Sequence, residues 1–222
     1  MSIIISLIDN KNPNSLAVKL RRQRFEIFLK LVERVKVSDR PLRILDVGGT
    51  ERFWETMGLL DNPNIEITLL NVMKAEVSYP NLTSVAGNAC DMSEFADGSF
   101  DIAFSNSVIE HVGKYPEQAK MAAEVKRVAK HYFLQTPNKA FPFEPHFMCV
   151  GFHFLPVNVR AWLLTKRGFG WHGKEKDFQS AKAMVESIQL LGKQEVKGLF
   201  PEAEMVGERF AFLTKSYIVY NG

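Results

Sequence analysis

Short apolar runs alternate with amphipathic stretches along most of this chain, and the alternation predicts its elements. The runs Leu42–Val47, Ile65–Leu70, Leu82–Val85, Asp101–Ser105 and His131–Gln135 read as buried strands. Ahead of them, residues from about Pro13 to Val37 read as a helix, with Leu16, Leu20, Phe28, Leu31 and Val35 on one side. Lys19, Arg21, Arg22 and Arg24 occupy much of the rest of that helix. A second helix, Pro116 to Lys130, opens with proline in its first turn and closes on basic residues that suit the helix dipole. Strand, helix, strand in repetition predicts a parallel sheet covered on both faces. Met205–Phe210 and Leu213–Val219 lie close enough together to form a hairpin.

Neither an internal repeat nor a low-complexity linker interrupts the pattern, so residues 1–222 are expected to form one domain. Residues 1–40 would be its N-terminal helical segment. The segment after the fifth strand, residues 137–202, is too long for a simple crossover. It contains Asp177 to Leu191, where Phe178, Ala181, Met184, Val185, Ile188 and Leu191 share a helical face. It also contains Phe141, Phe143, Phe147, Phe152, Phe154, Trp162, Phe169 and Trp171. Those aromatics either pack the insertion onto the sheet or build a lid over a substrate, since the insertion leaves the carboxyl edge of the sheet.

Composition narrows the class. A hydrophobic fraction of 46% is ample for a buried core, and 28 basic against 25 acidic residues excludes a charged, disordered chain. That near balance gives no case for nucleic-acid binding, which needs clustered basic surface. Two cysteines, Cys90 and Cys149, make no disulfide framework. The apolar N-terminus, Met1 to Asp9, lacks a charged leader region, and no apolar stretch is long enough to span a bilayer. A cytoplasmic protein is the expectation. Contact of the basic first helix and the aromatic insertion with a membrane surface is an alternative that the same residues allow.

Two segments carry the chemistry. Arg43-Ile44-Leu45-Asp46-Val47-Gly48-Gly49-Thr50 is an apolar run ending in an acid and paired glycines. Ser99-Phe100-Asp101 through Ser105-Asn106-Ser107 to Glu110-His111 is a second buried strand, ending in small polar residues and an acid. Together they resemble the class I S-adenosylmethionine (SAM)-dependent methyltransferases, whose hallmarks are L-D-x-G-x-G and, downstream, S-F-D with E-H after eight further residues. The loop Thr136 to His146, with Phe154-Leu155-Pro156 and Arg160 to Leu164, is similar to a bacterial methyltransferase type 11-like subgroup. The resemblance implies a Rossmann-like seven-stranded sheet of order 3-2-1-4-5-7-6 with strand 7 antiparallel. It also implies SAM as cofactor.

Each part of that cofactor sets a demand. Gly48 and Gly49 let the backbone approach closely, and Asp46 suits an ammonium group. Arg52 is a candidate partner for the carboxylate, in a turn where the family expects a third glycine. The resemblance puts Asn71 where an acid usually holds the ribose; an amide both accepts and donates, without the strength of a charged acceptor. It puts Asn88 at the adenine-contacting acid, with Ala89 and Asp91 as substitutes for that contact and Met92 against the adenine face. Ser105 and Asn106 fall beside the methionine part.

For catalysis, His146 is the first candidate, with His111 and Glu144 beside it as possible bases. The loop from Pro137 to His146 holds three prolines, which lower the entropy cost of ordering it. No signature of amino-methylating enzymes occurs, so the expected reaction is methylation of oxygen on a small-molecule or glycan-type acceptor. A metal site from His146, Cys149 and His153 matches no common ligand spacing, and none is expected. Two alternatives remain: a catalytically silent methyltransferase fold that binds a partner, and a nicotinamide-dependent oxidoreductase. The latter is disfavoured because Gly48-Gly49-Thr50 breaks the dinucleotide fingerprint and Asn71 is not an acid.

Overall fold

The computed structural model describes residues 16–222, and side chains from residue 21 onward. The expected helix start at Pro13, the apolar N-terminal run, and the side chains of Leu16, Lys19 and Leu20 lie outside the described residues. Helix α1 spans Leu16–Arg34 and leads into β1, Leu42–Val47. Then follow α2 (Glu51–Met57), β2 (Ile65–Asn71), β3 (Leu82–Ala86), β4 (Phe100–Asn106), a 3₁₀ turn (Ile109–His111), α3 (Tyr115–Val128) and β5 (Ala129–Pro137). Strands β8 (Glu204–Phe210) and β9 (Leu213–Asn221) close the chain. The seven-stranded sheet has the order β3-β2-β1-β4-β5-β9-β8, with β9 antiparallel to β5. Counted along this sheet alone, that is the expected order 3-2-1-4-5-7-6. The carboxyl ends of the parallel strands β1–β5 therefore gather at one edge, where the strand order reverses between β1 and β4.

Strand alternation divides the core into two layers. Leu45, Val47, Leu134 and Val219 point toward α3 and pack with Met121, Val125 and Val128. Ile44, Ile67, Phe104, Phe133 and Ile218 point the other way, against Phe25, Phe28 and Leu31 of α1 and against Trp54 of α2. Phe104 and Phe133 stack at 5.5 Å with Phe28 edge-on, so α1 is fixed by aromatic packing as well as by area.

The insertion departs from the expectation in detail. It carries a small hairpin, β6 (Phe143–Glu144) with β7 (Cys149–Val150), then α4 (Val157–Lys166), α5 (Phe178–Glu186) and α6 (Lys193–Leu199). The helix expected to run to Leu191 stops at Glu186. The reason is tertiary: the Gln189 N–H donates to the Glu110 carbonyl and Lys139 N–H donates to the Leu191 carbonyl, so residues 187–191 are drawn into the sheet edge. Phe147, Phe152 and Phe169 form a separate small core with Ala161, Leu164, Ala181 and Val185 rather than packing onto the sheet. Phe154, Trp162 and Trp171 remain exposed. Among the described residues, no helix is long and apolar enough to cross a membrane.

Candidate functional site

Two constellations lie at the carboxyl edge of the sheet. The first surrounds the β1–α2 turn. Gly48 sits at φ +79°, the left-handed region that favours glycine, and its N–H donates to the Leu70 carbonyl. Gly49 is required by proximity: a Cβ there would lie 1.5 Å from Asp46 Oδ2. Asp46 is fully buried and accepts a 2.6 Å hydrogen bond from the Trp54 indole N–H. Burial pushes its carboxyl up to about 7, only partly offset by that bond. Thr50 caps α2, its hydroxyl accepting from the Phe53 N–H, so the acid and the helix start are held as a unit.

Asp46, Gly48, Gly49, Arg52 and Asn106 line one cavity of about 300 Å³. Arg21 of α1 lines it too. One buried acid and two guanidinium groups around a glycine-walled cavity form a donor and acceptor set for a zwitterionic ligand. Asn71 does not line this cavity. Its side-chain N–H donates to the Gly49 carbonyl at 2.9 Å, leaving its carbonyl oxygen as an acceptor at the end of β2. Asn88 is exposed and accepts from Cys90 N–H, Ala89 is half-buried, and exposed Asp91 accepts from Ser93 N–H at 3.3 Å. Met92 is fully buried in the α3-side core and presents no surface to a ligand. Ser105 is buried as well, its hydroxyl donating to the Val47 carbonyl at 3.2 Å.

The sequence offers the basic side of α1 only to a membrane surface, and the structure turns part of it inward. The Arg24 guanidinium donates to both carboxylate oxygens of Glu208 at 3.1 Å, to Gln135 Oε1 at 2.8 Å and to Asn106 Oδ1. Its side chain is 10% exposed, so this member of the basic side does not face solvent. The signal was present as an excess of arginine near an aromatic stripe, but helical periodicity cannot show that an acid 184 residues away awaits it.

The second constellation joins the turn after β4 to the loop after β5. His146 Nδ1 lies 2.6 Å from Glu144 Oε1, and Glu144 Oε2 accepts from the Phe147 N–H at 2.6 Å. His146 Nε2 faces His111 Nε2 at 3.1 Å. All three catalytic candidates are thus in one chain of contacts, and His146 points toward the β4 turn rather than into the insertion's core. Burial alone would lower the His146 pKa, but the hydrogen bond and charge of Glu144, then the charge of Glu110, raise it. Glu144 is buried yet held below the usual carboxylate range by the His146 hydrogen bond and charge. His111 is shifted down, first by desolvation and then by His146. Beneath them, Glu110 is fully buried, accepts from the Thr136 hydroxyl at 3.0 Å, and is pushed up to about 7 by burial. In the sequence, Glu110 stands out only as part of the E-H motif. The triplet His146, Cys149 and His153 has no common geometry, since His153 Nε2 is engaged by the Lys139 carbonyl.

Residues 47–132 match the family described as Methyltransferase domain. The Mycobacterium tuberculosis protein Rv1509 is 37% identical over 59 residues, which are 26% of this chain and 20% of that protein. The match therefore spans about a fifth of that curated relative. Among solved structures, the DszA carbon methyltransferase superposes with TM-score 0.59 at 12% identity, covering 96% of this chain and 57% of that one. The CurJ carbon methyltransferase gives 0.58 at 12%, covering 93% and 55%. At such identities the likeness is one of fold. The matched segment is that of a methyltransferase domain, and the fold is the one these methyltransferases share.

Proposed function

We propose that this chain, a class I SAM-dependent methyltransferase by fold and by family match, methylates a hydroxyl oxygen of a small-molecule or glycan-type acceptor. The supporting observation is the Glu144–His146–His111 series at the same sheet edge as the glycine turn. Bound SAM supplies a methyl on a sulfonium: the oxygen–methyl bond forms as the methyl–sulfur bond breaks, and the electron pair stays on sulfur. Gly48 and Gly49 give close backbone approach; Asp46 receives the ammonium group, and Arg21 and Arg52 receive the carboxylate. Asn71 offers its carbonyl oxygen to a ribose hydroxyl. His146, oriented through Nδ1 by Glu144, takes the acceptor's proton at Nε2, while the insertion excludes water from the acceptor. The test is methyl transfer from labelled SAM to panels of hydroxyl, amine and activated-carbon acceptors. Turnover confined to amines or carbon would overturn the oxygen reading.

Two predictions concern the cofactor. Ligand ammonium favours ionised Asp46, whose pKa without ligand is about 7. Affinity for S-adenosylhomocysteine (SAH) should therefore rise with pH, by up to about tenfold per unit below 7, and level off above it. Calorimetry across pH 5.5 to 8 reads this, and Asp46→Asn should flatten the curve. The sign reverses for the unliganded fold: the raised folded pKa adds stability that is full below about 4 and lost as pH rises through 7. Separately, Asn71→Ala should weaken SAH binding by about 1–3 kcal/mol, because it removes an acceptor and loosens the Gly49 carbonyl. Unchanged affinity would take Asn71 out of the site.

A further inference from the structure

We propose that Glu110 Oε1, His111 Nε2 and His146 Nε2 form a site for one divalent first-row transition cation of the zinc type. The three side chains offer donor atoms that all lie within 4.8 Å of one another. His146 Nε2 is 3.1 Å from His111 Nε2 and 4.0 Å from Glu110 Oε1. A tetrahedral cation with ligand bonds of about 2.0 Å holds its donors about 3.3 Å apart, so the observed spacings bracket what coordination needs. The ligands come from two elements, the 3₁₀ turn after β4 and the β6–β7 hairpin, which the contact would tie together.

An independent observation points into the same space. Glu110 is fully buried, and only one of its oxygens is satisfied: Oε2 accepts from Thr136, while Oε1 has no hydrogen-bond partner. A buried carboxylate oxygen left unpaired is costly, and an ion is one of the few things that explain it. That oxygen is the one nearest His146. The outer shell is built as well. Glu144 engages Nδ1 of His146, and the Phe147 N–H fixes Glu144 in turn, the carboxylate–histidine support that metal-bound imidazoles almost always have. With Nδ1 directed at a carboxylate, neutral His146 presents a lone pair at Nε2. Two facing Nε2 atoms need something positive between them; a proton serves, and a cation serves both and Glu110 at once.

Two imidazoles and one carboxylate select zinc, cobalt, manganese or iron over magnesium and calcium, which prefer oxygen. Three protein ligands leave a coordination position for an acceptor hydroxyl, whose proton the cation makes more acidic. This step rests on the oxygen-acceptor reading, with the cation doing what the Nε2 lone pair does in the metal-free protein. The experiment is calorimetric titration of this chain, chelator-treated, with zinc and cobalt chlorides, with cobalt also followed by its visible absorption. One equivalent should bind, cobalt should show the intense bands of low coordination, and magnesium should not compete. Glu110→Gln and the more exposed His111→Ala should each weaken binding at least tenfold, with SAH affinity and melting temperature measured on the same samples. Wild-type binding that is not saturable, or is equal in folded His111→Ala, would overturn the site. Loss of SAH binding in wild type would instead overturn the cofactor reading and leave the metal result standing.

Discussion

His146→Ala lowers turnover by about 10²–10⁴ while leaving SAH affinity as in the wild type; that is the expected result at the acceptor side. The imidazole touches both His111 and Glu144, so its removal breaks the series at its centre. It also leaves Glu144 buried without its main partner, which predicts a lower melting temperature. Comparing Glu144→Gln separates the effects, because the amide keeps a hydrogen-bond acceptor for the Phe147 N–H but removes the charge that supports His146. Steady-state kinetics with SAH calorimetry checks both variants. Turnover within a few-fold of wild type would make His146 a tie between insertion and sheet.

Gly49→Ala should abolish measurable cofactor binding. The added Cβ would fall 1.5 Å from Asp46 Oδ2, so either the turn or the acid must move. Moving the acid breaks the 2.6 Å bond from Trp54, a loss of about 1–3 kcal/mol in a fully buried pair. Gly48→Val is a less clean probe: its Cβ would press within 2.5 Å of the Val108 side chain at a positive φ, so the fold itself would suffer. SAH calorimetry beside thermal melting distinguishes a lost pocket from a lost fold. Normal affinity in Gly49→Ala would remove the β1–α2 turn from the site.

Much of this architecture was legible because buried parallel strands are continuous apolar runs; β1 matches its run at both ends. The sheet order came from resemblance, since periodicity specifies faces and not neighbours. The hairpin β6–β7 escaped notice because two-residue strands leave no period to read. The overlong helix through Leu191 followed a true apolar stripe past Glu186, where bonds to Glu110 and Lys139 outcompete the helix. At the site, the glycine turn and the three catalytic candidates stood out by residue type. Glu110 and Arg24 did not, because each matters through partners distant in sequence: His146 for one, Glu208 for the other.

The bond between Arg24 and Glu208 also sets an order in time. The two residues are 184 positions apart, so at about 5–20 residues per second their synthesis is separated by about 10–40 s. During that interval the first strands and the glycine turn have left the ribosome, but the acid that neutralises Arg24 does not exist. Docking α1 over Asn106 and Gln135 before then would bury a guanidinium without its counter-charge, which costs several kcal/mol. Of these elements α1 is therefore seated last, once the β8–β9 hairpin has been made. Competence to hold a ligand under α1 belongs to a chain extended past Glu208, not to the nascent segment that carries the glycines.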